Sequence, residues 1–304
     1  MAARRFATLD VFTEHPLAGN PLAVVLDAEG LDAMAMQAIA AEFNLSETVF
    51  VLPPDEPRHR ARLRIFTPRQ ELPFAGHPTV GTAVLLALQD KRAEIADAVA
   101  FGLEETVGTV PCIVETGEGR GRARFRLPRL PEIWGEAGGL GPEPEAVARA
   151  LGLDPAEIGF DLHRPSRHSA GTPFDFVPVR SLAALGRAKA SVESLQVAFG
   201  AGAKVFLYTR ETGDPAQSFR ARMFAPASGI PEDPATGGAS AAFAGVLMQC
   251  EPLGDGTHDV VIAQGYEMGR PSEIALQLVI EGGALRGAEI GGSAVVVSRG
   301  ELLL

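Results

Sequence analysis

A glutamate in Asn44-Leu-Ser-Glu-Thr48, a histidine in Ala75-Gly-His-Pro-Thr79 and the two carboxylates that open Glu232-Asp-Pro-Ala-Thr-Gly-Gly238 are the side chains of this 304-residue sequence best placed for chemistry. Glu47 stands at the mouth of an apolar run, Val49-Phe50-Val51. Partial desolvation there would raise its pKa and suit it to carry a proton near neutrality. A surface glutamate at a strand end is the other reading of the same residues. His77 lies in a Gly-His-Pro corner that leaves the chain little room to bury it, which favours a functional over a structural histidine. Asp233 caps the helix that follows, orients His77, or acts as a second acid–base group. The chemistry open to these types together is general acid–base transfer of a proton.

Both corners lead into apolar segments. Residues 79–88 and 239–248 are apolar nearly all round, which predicts helices buried on every side. Amides at a helix start lack intrahelical partners and carry partial positive charge, so they bind carboxylates and phosphates. Glycine and proline shape a tight turn equally well; paired corners at equivalent places shift the balance toward an anion-holding site.

The equivalence comes from an internal repeat. Arg64-Ile-Phe-Thr-Pro-Arg-Gln-Glu-Leu-Pro73 matches Arg222-Met-Phe-Ala-Pro-Ala-Ser-Gly-Ile-Pro231, with an apolar strand before each copy and a Gly-rich corner and apolar helix after it. A period this long indicates duplicated domains, because solenoid units run about 20–50 residues. Short β-branched or alternating runs predict strands at 8–12, 22–26, 48–52, 62–66, 122–127, 204–208, 218–224, 259–263, 272–280 and 294–298, in mostly antiparallel sheets. Asp32 is placed to cap a helix whose apolar face is Met36, Ile39, Ala40 and Phe43. The pattern is α+β, with two pseudo-symmetric domains at 1–130 and 131–304, each a sheet curled around a central buried helix. The Gly- and Pro-rich stretch 131–161, with an amphipathic segment at 144–151, is the expected crossover, and the last strand is free to return to the first domain.

Composition narrows the class. Lys and Arg number 27 against 38 Asp and Glu, a net charge of −11, and 46% of residues are hydrophobic. That excludes disorder and argues against nucleic acid and anionic lipid as partners. The densest basic runs, 58–64 and 120–126, alternate with other residues like solvated strand faces. The opening residues lack the apolar core of a signal peptide, and no run approaches the ~20 apolar residues of a membrane helix. Cys112 and Cys250 have apolar neighbours and no ligand spacing, so a cytoplasmic protein with two reduced core thiols and no metal is expected. No Gly-x-Gly-x-x-Gly fingerprint suggests a nicotinamide or flavin cofactor.

Several motifs, in order along nearly the whole chain, together resemble the phenazine-biosynthesis PhzF-like family. They are Asp10-Val-Phe-Thr with Gly19-Asn-Pro21, Asn44-Leu-Ser-Glu-Thr48, Arg64-Ile-Phe-Thr-Pro68, Leu72-Pro-Phe-Ala-Gly-His-Pro-Thr79, Glu232-Asp-Pro-Ala-Thr-Gly237 and Gln264-Gly-Tyr-Glu-Met-Gly-Arg-Pro-Ser272. The resemblance implies a fold similar to diaminopimelate epimerase, with the active site in the cleft between two halves, and a homodimer. It implies a cofactor-free isomerisation in which a proton moves along the conjugated ring of a dihydro-hydroxyanthranilate, a small carboxylate-bearing substrate. Glu47 would be the proton carrier, supported by His77 and Asp233, with Ser46, Gly76, Gly237 and Gly238 at the substrate. The chain departs from the family at Gly238, where a serine is common, and so lacks one side-chain donor.

Two rivals stand beside this reading. A two-base amino-acid racemase or epimerase on the same fold needs a thiol at each corner. Cys112 and Cys250 lie elsewhere, which disfavours it. A non-catalytic small-anion binder would keep the corners and have no need of Glu47.

Overall fold

The computed structural model describes residues 3–90, 97–135 and 137–304. Met1 and Ala2 of the opening segment, and Glu136 of the expected crossover, lie outside them. The chain divides into two compact units, Met1–Pro128 with Gly291–Leu304, and Arg129–Ile290. No described helix is long and apolar enough to cross a membrane.

The first unit contains β1 (Ala3–Val11), β2 (Asn20–Val25), α1 (Ala33–Phe43), β3 (Glu47–Leu52), β4 (Ala61–Phe66), β5 (Glu71–Leu72), α2 (Gly76–Leu88), β6 (Val99–Glu105), β7 (Gly108–Thr116) and β8 (Arg120–Arg126). Helix α1 forms as expected: Asp32 accepts from Ala35 N at 2.8 Å, and Met36, Ile39 and Ala40 are buried. Strands β2 and β3 run parallel, β3 and β4 antiparallel, and β4 and β6 parallel. Helix α2 is buried at every residue from Gly76 to Ala87 and packs on β1, β2, β3, β6, β7 and β8. It starts three residues before the expected position, because Pro78 fits the first turn, where no intrahelical N–H is needed.

The second unit contains β9 (Glu132–Ile133), α3 (Pro144–Leu151), β10 (Ser166–Ser169), β11 (Pro173–Pro178), α4 (Leu182–Arg187), α5 (Val192–Phe199), β12 (Val205–Thr209), β13 (Phe219–Ala225), β14 (Ile230–Asp233), α6 (Gly237–Cys250), β15 (Gly256–Gln264) and β16 (Ser272–Glu281). The last strand, β17 (Ala284–Leu303), begins in this unit and ends in the first, paired with β1. Strands β11 and β12 run parallel, β12 and β13 antiparallel, and β13 and β15 parallel, the same succession as in the first unit. The sheets are therefore mixed, with antiparallel pairs in the majority. Helix α6 is buried along most of its length and packs on β9, β10, β11 and β16.

The two basic runs differ in exposure. On β8 the arginines 120, 122, 124 and 126 are exposed, while Ala123 and Phe125 are buried between them. On β4, Arg62 and Arg64 are half-buried, and Arg64 donates twice to Glu71 at 2.7 Å.

Candidate active site

Why the Asn-Leu-Ser-Glu segment ends where it does is visible in the backbone. Asn44 closes α1 in the left-handed conformation, φ 50°, and its N–H donates to Ala40 O. Among residues with a side chain, asparagine tolerates that conformation best. The turn delivers Ser46, half-buried, and then Glu47 as the first residue of β3, in register with Leu22 of β2.

Glu47 is 13% exposed at its side chain, and its Oε2 lies 3.4 Å from Nε2 of His77, itself 6% exposed. The expectation of a surface carboxylate is therefore not met. His77 is the second residue of α2, beside the buried Gly76, and contrary to the expectation that its corner leaves little room for burial it is itself buried, because α2 is enclosed along that whole turn. Burial pushes its pKa down to about 3, so the imidazole is neutral across the physiological range and the contact is not an ion pair. A neutral imidazole can offer Glu47 a hydrogen or a lone pair, depending on which ring nitrogen is protonated. Unfolding lets His77 bind a proton at its ordinary pKa of 6.5, while the folded protein refuses one until about pH 3. Stability is therefore lost as pH falls through that window. An NMR titration should show the His77 ring unprotonated until the pH nears about 3, and His77→Gln should lessen the loss of stability on acidification.

The N-cap of α2, Ala75, is extended and offers no side-chain cap, so the amides of the first turn have no partner of that kind. Thr79, one turn in, places Oγ1 2.8 Å from Ala75 O and 2.7 Å from Oε1 of Glu105. Glu105 closes β6, is buried, and has its pKa pushed up to about 8 by desolvation.

In the second unit the corner runs from β14 into α6. The helix cap is Thr236, and Asp233 is not the N-cap, which removes one of its three readings. Asp233 is buried and accepts from Thr236 Oγ1 at 2.5 Å. Buried Gln264, at the end of β15, accepts from Thr236 N at 3.1 Å and donates to Asp233 O at 2.7 Å and Thr236 Oγ1 at 3.0 Å. Gly237 is buried and Gly238 half-buried at the first turn of α6. The neighbouring carboxylate, Glu232, is otherwise occupied. It accepts two bonds from Arg222, at 2.8 and 2.9 Å, and the same guanidinium donates to the carbonyls of Leu185 and Ala188.

Both thiols are free and buried, Cys112 on β7 and Cys250 as the last residue of α6, and burial pushes each pKa up. Neither stands at a helix start, as two-thiol racemisation requires. Thr79, Glu105 and the contacts of Gln264 were not foreseen. Gln264 lies inside a motif of the resemblance with no role given to it, and Glu105 lies outside every motif.

Comparison with known proteins places these features in a family. A family model for phenazine biosynthesis-like proteins, PhzC-PhzF, matches residues 9–300. The chain is 49% identical, over the full length of both, to an uncharacterized isomerase of Mesorhizobium japonicum. It is 34% identical to the trans-2,3-dihydro-3-hydroxyanthranilate isomerase of Pseudomonas aeruginosa, over 99% of each chain. The crystal structure of a PhzF-family phenazine biosynthesis protein from Bacillus anthracis superimposes with a TM-score of 0.87 at 27% identity, covering all of both chains.

Proposed function

The chain belongs to the phenazine biosynthesis-like protein family and is an isomerase of the PhzF type, and from that premise we propose that it moves a proton on a small carboxylate-bearing substrate without a cofactor. Glu47 takes a proton from one carbon, the C–H electron pair enters the conjugated system, and Glu47 returns the proton to a second carbon, so that atoms and electrons balance. His77, Asp233, Ser46 and the backbone amides at Gly76, Gly237 and Gly238 hold the polar groups of the substrate. The single observation that carries this reading is a largely buried carboxylate, Glu47, set 3.4 Å from a histidine that burial keeps neutral. A carboxylate so placed meets no fixed positive charge from His77 and is available as a base.

The substrate class follows the relatives: trans-2,3-dihydro-3-hydroxyanthranilate, or a molecule of the same build. The test is turnover of that compound by the purified protein before and after exhaustive treatment with a chelator. Equal rates, from protein whose absorption spectrum shows no bound chromophore, support the cofactor-free reading; loss of the rate on chelation contradicts it, and no turnover at all contradicts the substrate. Gly238→Ser probes specificity. A Cβ there would meet only the Phe174 ring, at 3.7 Å, an ordinary contact. The serine is expected to fold normally, to shift stability by no more than about 0.5 kcal/mol, and to lower KM for this compound by supplying the donor that Gly238 lacks. The shared succession of elements in the two units supports their descent from one duplicated half. The family resemblance supports a cytoplasmic homodimer, which sedimentation would register as twice the chain mass.

A further inference from the structure

The strand that follows the buried helix ends, in both units, on a residue that grips the start of that helix. In the second unit it is Gln264, on the last position of β15. In the first it is Glu105, on the last position of β6. The pairings make the two positions equivalent: Arg62 of β4 faces Glu104, and Arg220 of β13 faces Ala263, one residue short of the strand end in each case. Arg62 and Arg220 are themselves equivalent in the repeat anchored on Arg64 and Arg222.

Ala75 O accepts from Thr79 N at 3.2 Å, and proton accounting at the Thr79 hydroxyl favours one state of Glu105. One hydroxyl carries one hydrogen, yet Thr79 Oγ1 sits within hydrogen-bond distance of two oxygens, Ala75 O at 2.8 Å and Glu105 Oε1 at 2.7 Å. A carbonyl only accepts. Both contacts are satisfied when Thr79 donates to Ala75 O and Glu105, carrying its own proton, donates to Thr79. A protonated carboxyl then offers one donor and one acceptor without charge, as the amide of Gln264 does. We propose that Glu105 is a positioning residue held as the neutral acid, which through Thr79 fixes the first turn of α2 and with it His77. Its raised pKa agrees with that state.

The ionisable groups on the elements packed against Glu105 leave this state undisturbed. Strand β7 brings the Cys112 thiol, which burial keeps protonated. Helix α2 brings neutral His77. On β4, Arg62 pairs with Asp55 at 3.7 Å, and neighbouring Glu104 accepts from Asp55 N, Glu56 N and His59, all apart from Thr79. Arg60, just before β4, donates to Leu86 O near the far end of α2.

The inference rests on the proposed role of the His77 corner, and its test is separable from that role. Infrared spectra of the wild type at neutral pH are expected to show the carbonyl stretch of a protonated carboxylic acid, lost on titration to pH well above about 8 and absent from Glu105→Gln. In turnover of trans-2,3-dihydro-3-hydroxyanthranilate, Glu105→Gln should match the wild type within about twofold at neutral pH. One unit above its titration it should exceed the wild type by about tenfold in kcat, with KM unchanged, as loss of one essential proton requires. An infrared band unchanged by pH and by the substitution would overturn the proposal, and the pH titration of the wild type decides this even if the variant folds poorly. Superimposable pH profiles would overturn it as well. Failure of the proton-transfer reading would show instead as wild-type turnover in Glu47→Gln.

Discussion

Glu47→Gln is expected to lower kcat for trans-2,3-dihydro-3-hydroxyanthranilate by about 10²–10⁴-fold, the range over which a positioned general base contributes. The amide matches the carboxylate in size but cannot take a proton from carbon. KM should change little, because Glu47 acts on the proton in flight and the binding groups lie elsewhere. Stability should change by less than about 1 kcal/mol, since His77 is neutral, its contact with Glu47 is not an ion pair, and the amide keeps the size of the side chain. A steady-state comparison of the two proteins checks this. A variant that keeps more than a tenth of wild-type kcat would remove Glu47 from its role.

Two consecutive carboxylates should fail in opposite ways. Glu232 and Asp233 occupy adjacent positions of β14 and so face opposite sides of the strand. Glu232→Ala strips both carboxylate bonds from Arg222, whose side chain is only 10% exposed. Breaking a buried pair from one side costs about 3–5 kcal/mol, read as a lowered urea midpoint, while kcat per folded molecule stays near wild type. Asp233→Asn keeps an oxygen to accept from Thr236 and should leave the midpoint in place. On the role proposed for Asp233, it takes away a charged partner of the substrate, a loss of about 1.5–3 kcal/mol, or roughly ten- to a hundredfold in kcat/KM. Urea titrations and kinetics on both variants would settle the division. The reverse pattern, a destabilised Asp233→Asn and an inactive Glu232→Ala, would contradict it.

What the sequence revealed depended on how local the signal was. Asp32 capping α1, and the burial of Met36, Ile39 and Ala40, follow from short-range spacing and appear in the structure. So do the two apolar helices, whose starts were placed late because glycine and proline conceal a first turn. Strand β7 was missed although Val110, Cys112 and Val114 alternate inward, because Pro111 and Ile113 on the outer face hide the period. Strand β6 was missed with it, and without β6 nothing separates Glu105 from Glu104. Glu47 and His77 stood out through their motifs. Their approach to 3.4 Å joins residues thirty apart and is set by β3 and α2 packing together. The structural role of Glu232 was not legible, because its salt bridge with Arg222 depends on β13 and β14 pairing.

Solvent hydrogen exchange tests most directly whether Glu47 moves the proton. The protein would be incubated in deuterium oxide with trans-2,3-dihydro-3-hydroxyanthranilate, and deuterium at the ring carbons followed by NMR. Label is expected to enter with the wild type and to be absent with Glu47→Gln. Equal labelling by both proteins, or none by either, would contradict a mechanism in which this carboxylate takes the proton from one carbon and hands it to another.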